Sequence, residues 1–128
     1  HKYVEVSGDK EYEKHIKSIF DFFENDIQVM YEDEERLATS YGPEKDRLIT
    51  NAVSYALYSY AIFSKYLPEH EALISRKIRK LYNFIQGKQL EDGSWLYEPD
   101  NPSSFIDCFH TTSAHKYFKD TSAKICSS

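Results

Sequence analysis

Residues 80–95 read KLYNFIQGKQLEDGSW, and this stretch decides the fold that the sequence predicts. The pair Asp92-Gly93 is typical of a tight turn, because glycine adopts positive φ at little steric cost. Gln89 stands at the end of a predicted helix, where its side chain can bond carbonyl groups that have no partner inside the helix. The large ring of Trp95 is expected to fold back after the turn and pack across neighbouring helices. We therefore interpret Gln89, Asp92, Gly93 and Trp95 as a structural motif that joins one helix to the next element.

The two segments before this motif predict an inner helix followed by an outer helix. From about 69 to 87, apolar residues recur at spacings of three and four, and the basic residues fall mostly between them, which indicates an amphipathic helix. From about 44 to 67, the chain has almost no charged face between 48 and 64, so this helix is expected to be buried on several sides. An inner helix joined by a short turn to an outer one is typical of α/α hairpins.

The chain predicts one further helix on each side of this pair. An apolar stripe runs from about 10 to 31 and is ended by the acidic run 32–35, which we interpret as an exposed connection. A last helix with a weaker pattern is expected to begin near 104–107. Because no period-two alternation is present, we predict an all-α fold, with antiparallel α/α hairpins in one domain over residues 10–119. A loose lead at 1–9 and a polar tail at 120–128 flank it, and the absence of an initiator Met indicates a processed chain or an excised piece.

Composition and charge limit the classes of partner that the chain is expected to bind. The 128 residues carry 16 Lys and Arg against 21 Asp and Glu, and the formal net charge of −5 disfavours nucleic acid. Mean hydropathy is −0.65, and no apolar stretch reaches the ~18 residues of a membrane span. Cys108 and Cys126 show no metal-ligand spacing, so we expect no metal and no cofactor. Two free thiols in a reducing cytoplasmic location are the simpler interpretation, and a single disulfide stays open.

The stretch KLYNFIQGKQLEDGSW resembles the repeated Gln-Trp (QW) motif of α/α-toroid proteins, a basic residue, an aromatic and aliphatic pair, a Gln and then Gly-x-Trp. Phe84-Ile85, Gln89, Gly93 and Trp95 match this pattern, and Leu81 departs from it. The stretch 105–111 looks like the next inner helix of six-hairpin glycosidases, polysaccharide lyases and uronyl epimerases. The resemblance covers about 44–112 and implies an α/α toroid. Because a closed toroid of twelve helices needs about 200 residues, it implies a partial toroid, a fragment of a longer enzyme or a small protein built from the same hairpin.

Two groups of side chains are candidates for chemistry. Asp107 and His110 are spaced i, i+3, so an Asp could orient a His for acid–base catalysis, or Asp107 could cap a helix while His110 bonds locally. Asn51, Tyr55 and Tyr58 share one helix face, which indicates either a polar cavity or hydrogen bonds inside the protein. Flat aromatic faces with a polar tip suit sugar rings, and such residues are also common in cores. The candidates for such a platform are Tyr55, Tyr58, Trp95 and Tyr97.

We expect a carbohydrate-active protein that binds or processes a polysaccharide or a uronate-containing glycan. The resemblance implies a glycoside hydrolase, a polysaccharide lyase or an epimerase if the chain is an enzyme. One alternative is a non-catalytic helical module that contacts another chain or a second copy of itself, since apolar patches mark interfaces. A terpenoid cyclase or prenyltransferase relative is a further alternative, and it is disfavoured because the sequence lacks the Asp-rich motifs of those enzymes.

Overall fold

The computed structural model describes residues 13–45, 47–107, 111–112, 114, 116 and 118–119. The predicted lead at 1–9, the predicted tail at 120–128 and His110 therefore lie outside the described residues. In chain order the elements are helix α1 (Glu13–Asn25), strand β1 (Val29–Glu32), strand β2 (Leu37–Thr39), helix α2 (Thr50–Tyr66), a 3-10 turn (Pro68–His70) and helix α3 (Glu71–Lys88). Residues 111–112, 114, 116 and 118–119 are also helical.

The prediction of an all-α fold is wrong. Strands β1 and β2 form an antiparallel two-stranded sheet in which Val29 lies opposite Thr39 and Glu32 opposite Leu37. The described part of the chain is thus a small α/β domain with three named helices, not a set of antiparallel α/α hairpins forming a partial α/α toroid. The helix predicted over 10–31 ends at Asn25, and its last residues belong to a turn and to β1.

The β-hairpin could not be predicted from the sequence pattern because its strands are short. All three residues of β2 are buried, so no alternation of apolar and polar positions marks it. The apolar residues of 27–31 continue the helical spacing of α1 by coincidence, while the acidic run forms the hairpin turn. In that turn the Asp33 carboxylate accepts hydrogen bonds from the backbone N–H groups of Glu35 and Arg36, at 2.8 and 2.7 Å. Aspartate side chains commonly stabilise turns in this way.

Helix α2 lies at the centre of the core, with α1, α3 and β2 packed against it. Val53, Leu57 and Ala61 on α2 have no exposed surface. Phe20 of α1 packs edge-on against Phe63 of α2, with ring centroids 5.4 Å apart. The inner helix predicted at about 44–67 therefore corresponds to α2, and the amphipathic helix predicted at about 69–87 corresponds to α3.

Ion pairs hold the outer elements to this core. The Lys80 ammonium of α3 donates to the Glu32 carboxylate of β1 at 2.6 Å, and Lys80 is only 8% exposed, although the sequence pattern placed it on the outer face. The Glu24 carboxylate of α1 accepts bonds from the Tyr60 hydroxyl at 2.7 Å and from the Lys77 ammonium at 2.9 Å. This second group joins three helices. None of the described helices is long and apolar enough to cross a membrane.

Candidate functional site

The turn at 89–95 is held by its own side chains. Gly93 has φ of +88°, and the side-chain amide of Gln89 donates to the Gly93 carbonyl at 2.8 Å. The Asp92 carboxylate accepts bonds from the backbone N–H and the hydroxyl of Ser94, at 3.0 and 2.6 Å, and these bonds lower the pKa of Asp92. The sequence predicted that the Gln89 side chain would bond the last carbonyl groups of α3. It bonds within the turn instead.

Trp95, and not Gln89, bonds one of the last carbonyl groups of α3. Its indole Nε1 donates to the Ile85 carbonyl at 2.8 Å, and its side chain is 2% exposed within the core. A buried ring has no free face for a ligand. The structure thus places Trp95 among the packing residues and apart from an exposed aromatic platform.

The chain that follows Trp95 runs extended and pairs with 105–107. The Tyr97 N–H donates to the Phe105 carbonyl, and the Asp107 N–H donates to the Trp95 carbonyl, both at 2.8 Å. Residues 96 and 106 form an antiparallel bridge between these bonds. The region near 104–107, where the sequence predicted a helix start, is therefore extended, and it brings Asp107 beside Trp95 and Tyr97.

This extended segment meets the first turn of α2. The Thr50 N–H donates to the Tyr97 carbonyl at 2.9 Å, and the Thr50 hydroxyl donates to the Leu96 carbonyl at 2.6 Å. Thr50 is the first residue of α2 and is fully buried. The N-terminal end of α2 is thereby fixed to residues 95–107, which is where candidate side chains gather.

Three tyrosines and one aspartate come together at this end of α2, and we call Tyr41, Tyr55, Tyr97 and Asp107 the tyrosine cluster. Desolvation raises the pKa of Tyr41 to about 12, and negative charge at Tyr97, Asp107 and Tyr55 acts in the same direction. Tyr41 is 52% exposed, Tyr55 is 41% exposed and Asp107 is 4% exposed. At neutral pH the Tyr41 hydroxyl is therefore protonated and can donate a hydrogen bond to a ligand in solution.

Tyr97 of the tyrosine cluster also stacks on an exposed aromatic ring, that of Phe105. The rings of Tyr97 and Phe105 stack with centroids 4.6 Å apart and an interplanar angle of 17°, and Phe105 is 66% exposed. The Arg47 guanidinium lies 5.9 Å from the Tyr97 ring centroid and donates to the Glu98 carboxylate at 3.0 Å. We call Arg47, Tyr97, Glu98 and Phe105 the aromatic rim.

The predicted catalytic pair is only half described. The Asp107 carboxylate accepts a 2.7 Å hydrogen bond from the Thr111 hydroxyl, and Thr111 is fully buried. His110 lies outside the described residues, so the pairing of Asp107 with His110 stays a prediction. The bond from Thr111 gives the Asp107 carboxylate a hydrogen-bond partner inside the protein.

The polar face predicted on α2 divides into a buried and an exposed part. Asn51 is 3% exposed, and its Oδ1 has no hydrogen-bond partner among the described residues. Tyr55 is exposed, and Tyr58 is partly buried. The structure therefore brings Tyr55 into the tyrosine cluster, while Asn51 lies one turn away on the same face.

Two cavities compete as candidate sites. One of about 240 Å³ is lined by Tyr41, Gly42, Pro43 and Glu44, beside the tyrosine cluster. A larger one of about 440 Å³ is lined by Ser75, Ile78, Arg79, Tyr82, Phe118 and Lys119. The described lining of the larger cavity combines apolar groups with two hydroxyls and two cations and holds no carboxylate. We place the candidate site at the smaller cavity, because Tyr41 lines it and belongs to the tyrosine cluster.

Sequence reasoning missed Tyr41, Arg47 and Phe105. Tyr41 was treated as part of the break at Tyr41-Gly42-Pro43, and Phe105 as part of a helix. Tyr41 and Arg47 lie close together in the chain but far from Phe105, and all three lie near Tyr97 because the segment 95–107 contacts the start of α2. An aromatic residue directly before a Gly-Pro break was the one available signal, and it does not reveal a spatial neighbour.

Among the residues that the structure describes, no group of three or more His, Cys, Asp or Glu side chains is arranged to hold a metal ion. The sequence matches no protein family, and searches for similar curated proteins and for similar solved structures found none. The tyrosine cluster and the aromatic rim are therefore the features of the described residues that point to a function.

Proposed function

We propose that the tyrosine cluster and the aromatic rim bind a glycan, a polysaccharide or a uronate-containing saccharide. The observation that carries this proposal is the gathering of three tyrosines and Asp107 from three segments of the chain at one end of α2. Tyrosine combines a flat apolar face with a hydroxyl group, and sugar rings present apolar C–H faces beside hydroxyl groups. Such a combination supports saccharide binding better than binding of a purely apolar molecule.

The aromatic rim adds a surface for stacking. Because Phe105 is mostly exposed and lies parallel to Tyr97, the pair offers a rigid aromatic edge beside the cluster. The Glu98 carboxylate accepts bonds from the Arg47 guanidinium at 3.0 Å and from the Asn101 side-chain amide at 3.1 Å, so this charged pair is held in place beside the stacked rings.

Binding, rather than a named reaction, is the function that these contacts support. Asp107 is almost fully buried and bonded to Thr111, which suits a positioning role. Tyr41 holds its proton at neutral pH and is suited to hydrogen-bond donation. Catalysis by Asp107 and His110 stays a prediction, and its class would be hydrolysis, elimination or epimerisation.

Titration of the protein with saccharides, followed by NMR or calorimetry, tests this proposal. The panel contains a neutral oligosaccharide and a uronate oligosaccharide of equal length. Tyr97→Ala is expected to weaken saccharide binding at least tenfold, because it removes both a cluster hydroxyl and one ring of the stacked pair, about 1.4 kcal/mol or more.

Tyr31→Ala is the matched control, since Tyr31 is an exposed tyrosine, at 43%, that belongs to β1 and bonds to Asp33. It is expected to leave binding unchanged. Absence of binding to every saccharide, or equal binding by wild type and by a folded Tyr97→Ala variant, would contradict the proposal.

A protein-interaction module is the second candidate, and it rests on a different surface. Ile19 and Phe22 of α1 are 50% and 42% exposed, and Ile19 borders a small apolar cavity formed with α2. Exposed apolar groups that lie together mark contact surfaces. A dimer detected by light scattering that dissociates in Ile19→Ser would support this candidate, whereas a monomer that binds saccharide would favour the first.

A further inference from the structure

Two buried polar residues of α2 each carry one atom that has no hydrogen-bond partner among the described residues. They are Asn51, 3% exposed, and Ser54, which has no exposed surface. The Asn51 Oδ1 and the Ser54 Oγ each lack a partner within the described ranges of the chain. Buried polar atoms are nearly always satisfied in folded proteins, and an unsatisfied pair points to a missing partner molecule.

The two residues lie next to each other on the helix. They are spaced i, i+3, which places their Cβ atoms about 5–6 Å apart on one face of α2. They do not bond to each other, although both are buried in the same turn. Tyr55 lies one turn after Asn51 on the same face and belongs to the tyrosine cluster, so Asn51 is one helical turn from the proposed binding site.

The chemistry of the pair selects its partner. An amide oxygen only accepts hydrogen bonds, while a serine hydroxyl both donates and accepts. An atom that bonds to both must therefore donate to Asn51 and can exchange either kind of bond with Ser54. An O–H group has this capacity, whereas a carboxylate or an aliphatic group does not.

We propose that Asn51 and Ser54 together bind one hydroxyl oxygen, which is either a buried water molecule or a hydroxyl group of the ligand. A buried water typically makes about three hydrogen bonds, and the Thr39 hydroxyl is a third buried polar atom without a partner among the described residues. Thr39 is 6% exposed and lies on β2, which packs against α2. If the bound oxygen is a water molecule, the site is independent of the proposed function. If it is a hydroxyl group of the saccharide, the site rests on the proposed function.

Ser54→Ala tests the site by its effect on the melting temperature of the full chain. A filled site loses a hydrogen bond in this variant, so the melting temperature is expected to fall by about 4 °C. Ser64→Ala, on the same helix and only partly buried, corrects for the higher helix propensity of alanine. A Ser54→Ala variant that is as stable as Ser64→Ala, or more stable, and that binds saccharide as tightly as wild type overturns the proposal, because removing an unsatisfied hydroxyl costs nothing.

Saccharide titration of the same variant separates the two sources. A lower melting temperature with unchanged saccharide affinity identifies the water, and an affinity reduced about tenfold identifies a ligand hydroxyl. If no saccharide binds to the wild type, the proposed function fails while the melting temperature still decides whether the water site exists. A high-resolution crystal structure gives an independent result: an ordered oxygen bonded to both side chains supports the site, and a closed gap without one overturns it.

Discussion

The indole nitrogen of Trp95 donates a 2.8 Å hydrogen bond to the carbonyl oxygen of Ile85. This bond joins Trp95, which follows the turn, to α3, which precedes it. Ile85 belongs to the last four residues of α3, whose carbonyl groups have no partner inside the helix. Both side chains are buried. This contact fixes where the extended segment begins and thereby places Tyr97 and Asp107 at the start of α2.

Trp95→Phe is expected to destabilise the protein by about 2–4 kcal/mol. It removes the bond to the Ile85 carbonyl, which stays buried without a partner, and it leaves unfilled volume in the core. Urea denaturation followed by circular dichroism measures the loss, since Trp95 is the only tryptophan and its fluorescence disappears with it. Leu90→Ala, at an exposed position of the same turn, should cost no more than about 0.5 kcal/mol. Equal stabilities for the two variants would contradict this account.

Gly93→Ala is expected to destabilise the protein by about 1–2 kcal/mol, because an L-residue with a Cβ is strained at φ of +88°. An added Cβ would meet only the Gln89 side chain at 3.8 Å, so the cost comes from the backbone and not from a clash. Gly93→Asn should cost less, since asparagine tolerates this conformation. Gly42→Ala is the control: its Cβ would have open space and its φ is not positive. If Gly42→Ala lowers the free energy of unfolding as much as Gly93→Ala does, backbone strain at position 93 is not the cause.

The two central helices could be predicted from the sequence because they bury long stretches of apolar surface. α2 lacks a charged face and α3 carries a clear stripe, and both patterns extend over many residues. The hairpin could not, because β2 has three residues that are buried on both faces. A pattern so short does not distinguish a strand from the continuation of a helix.

The candidate site was predicted only in part. Tyr55, Tyr97 and Asp107 were singled out for their chemistry, and the structure brings them together. Tyr41 and Arg47 join them through contacts between distant segments, which no local pattern contains. Trp95 was expected on an exposed platform, but the carbonyl of Ile85 holds its indole in the core.

Raising the pH above about 10 is expected to destabilise the protein through Tyr60. Burial and the neighbouring Glu24 raise the pKa of Tyr60 above its ordinary value of 10.0. The unfolded chain therefore loses this proton first, and above pH 10 it binds fewer protons than the folded state. Under this condition the free energy of unfolding falls as the pH rises, whereas below pH 10 the contribution of Tyr60 is fully present.

Tyr60→Phe tests this dependence by urea denaturation between pH 8 and pH 11. The variant should lose about 1 kcal/mol at pH 8, since its ring still packs while the bond to Glu24 is gone. Its stability should then fall less steeply with pH than that of the wild type. Tyr66→Phe, at a partly buried position of the same helix, controls for the loss of a tyrosine hydroxyl. Parallel pH profiles for wild type and Tyr60→Phe would disprove the assignment.

Asp107→Asn is expected to lower the pKa of Tyr41 from about 12 toward its ordinary value of 10.0. The negative charge of Asp107 opposes ionisation of the Tyr41 hydroxyl, and asparagine removes that charge while nearly keeping the shape of the side chain. Because desolvation is the larger cause, the pKa should fall only part of the way. Titration followed by NMR of the tyrosine ring carbon that bears the hydroxyl measures it in the folded protein.

Two further variants make this test of the tyrosine cluster decisive. Tyr97→Phe removes the hydroxyl of another ionisable group that raises the pKa of Tyr41, and it keeps the stacked ring. It should also lower the pKa of Tyr41, and it provides the test if Asp107→Asn fails to fold. Asp33→Asn removes an exposed carboxylate that bonds to Tyr31 and does not act on Tyr41. It should leave the pKa of Tyr41 unchanged. If Tyr41 titrates identically in wild type, Asp107→Asn and Tyr97→Phe, these side chains do not share one site, and the binding proposal loses the observation that carries it.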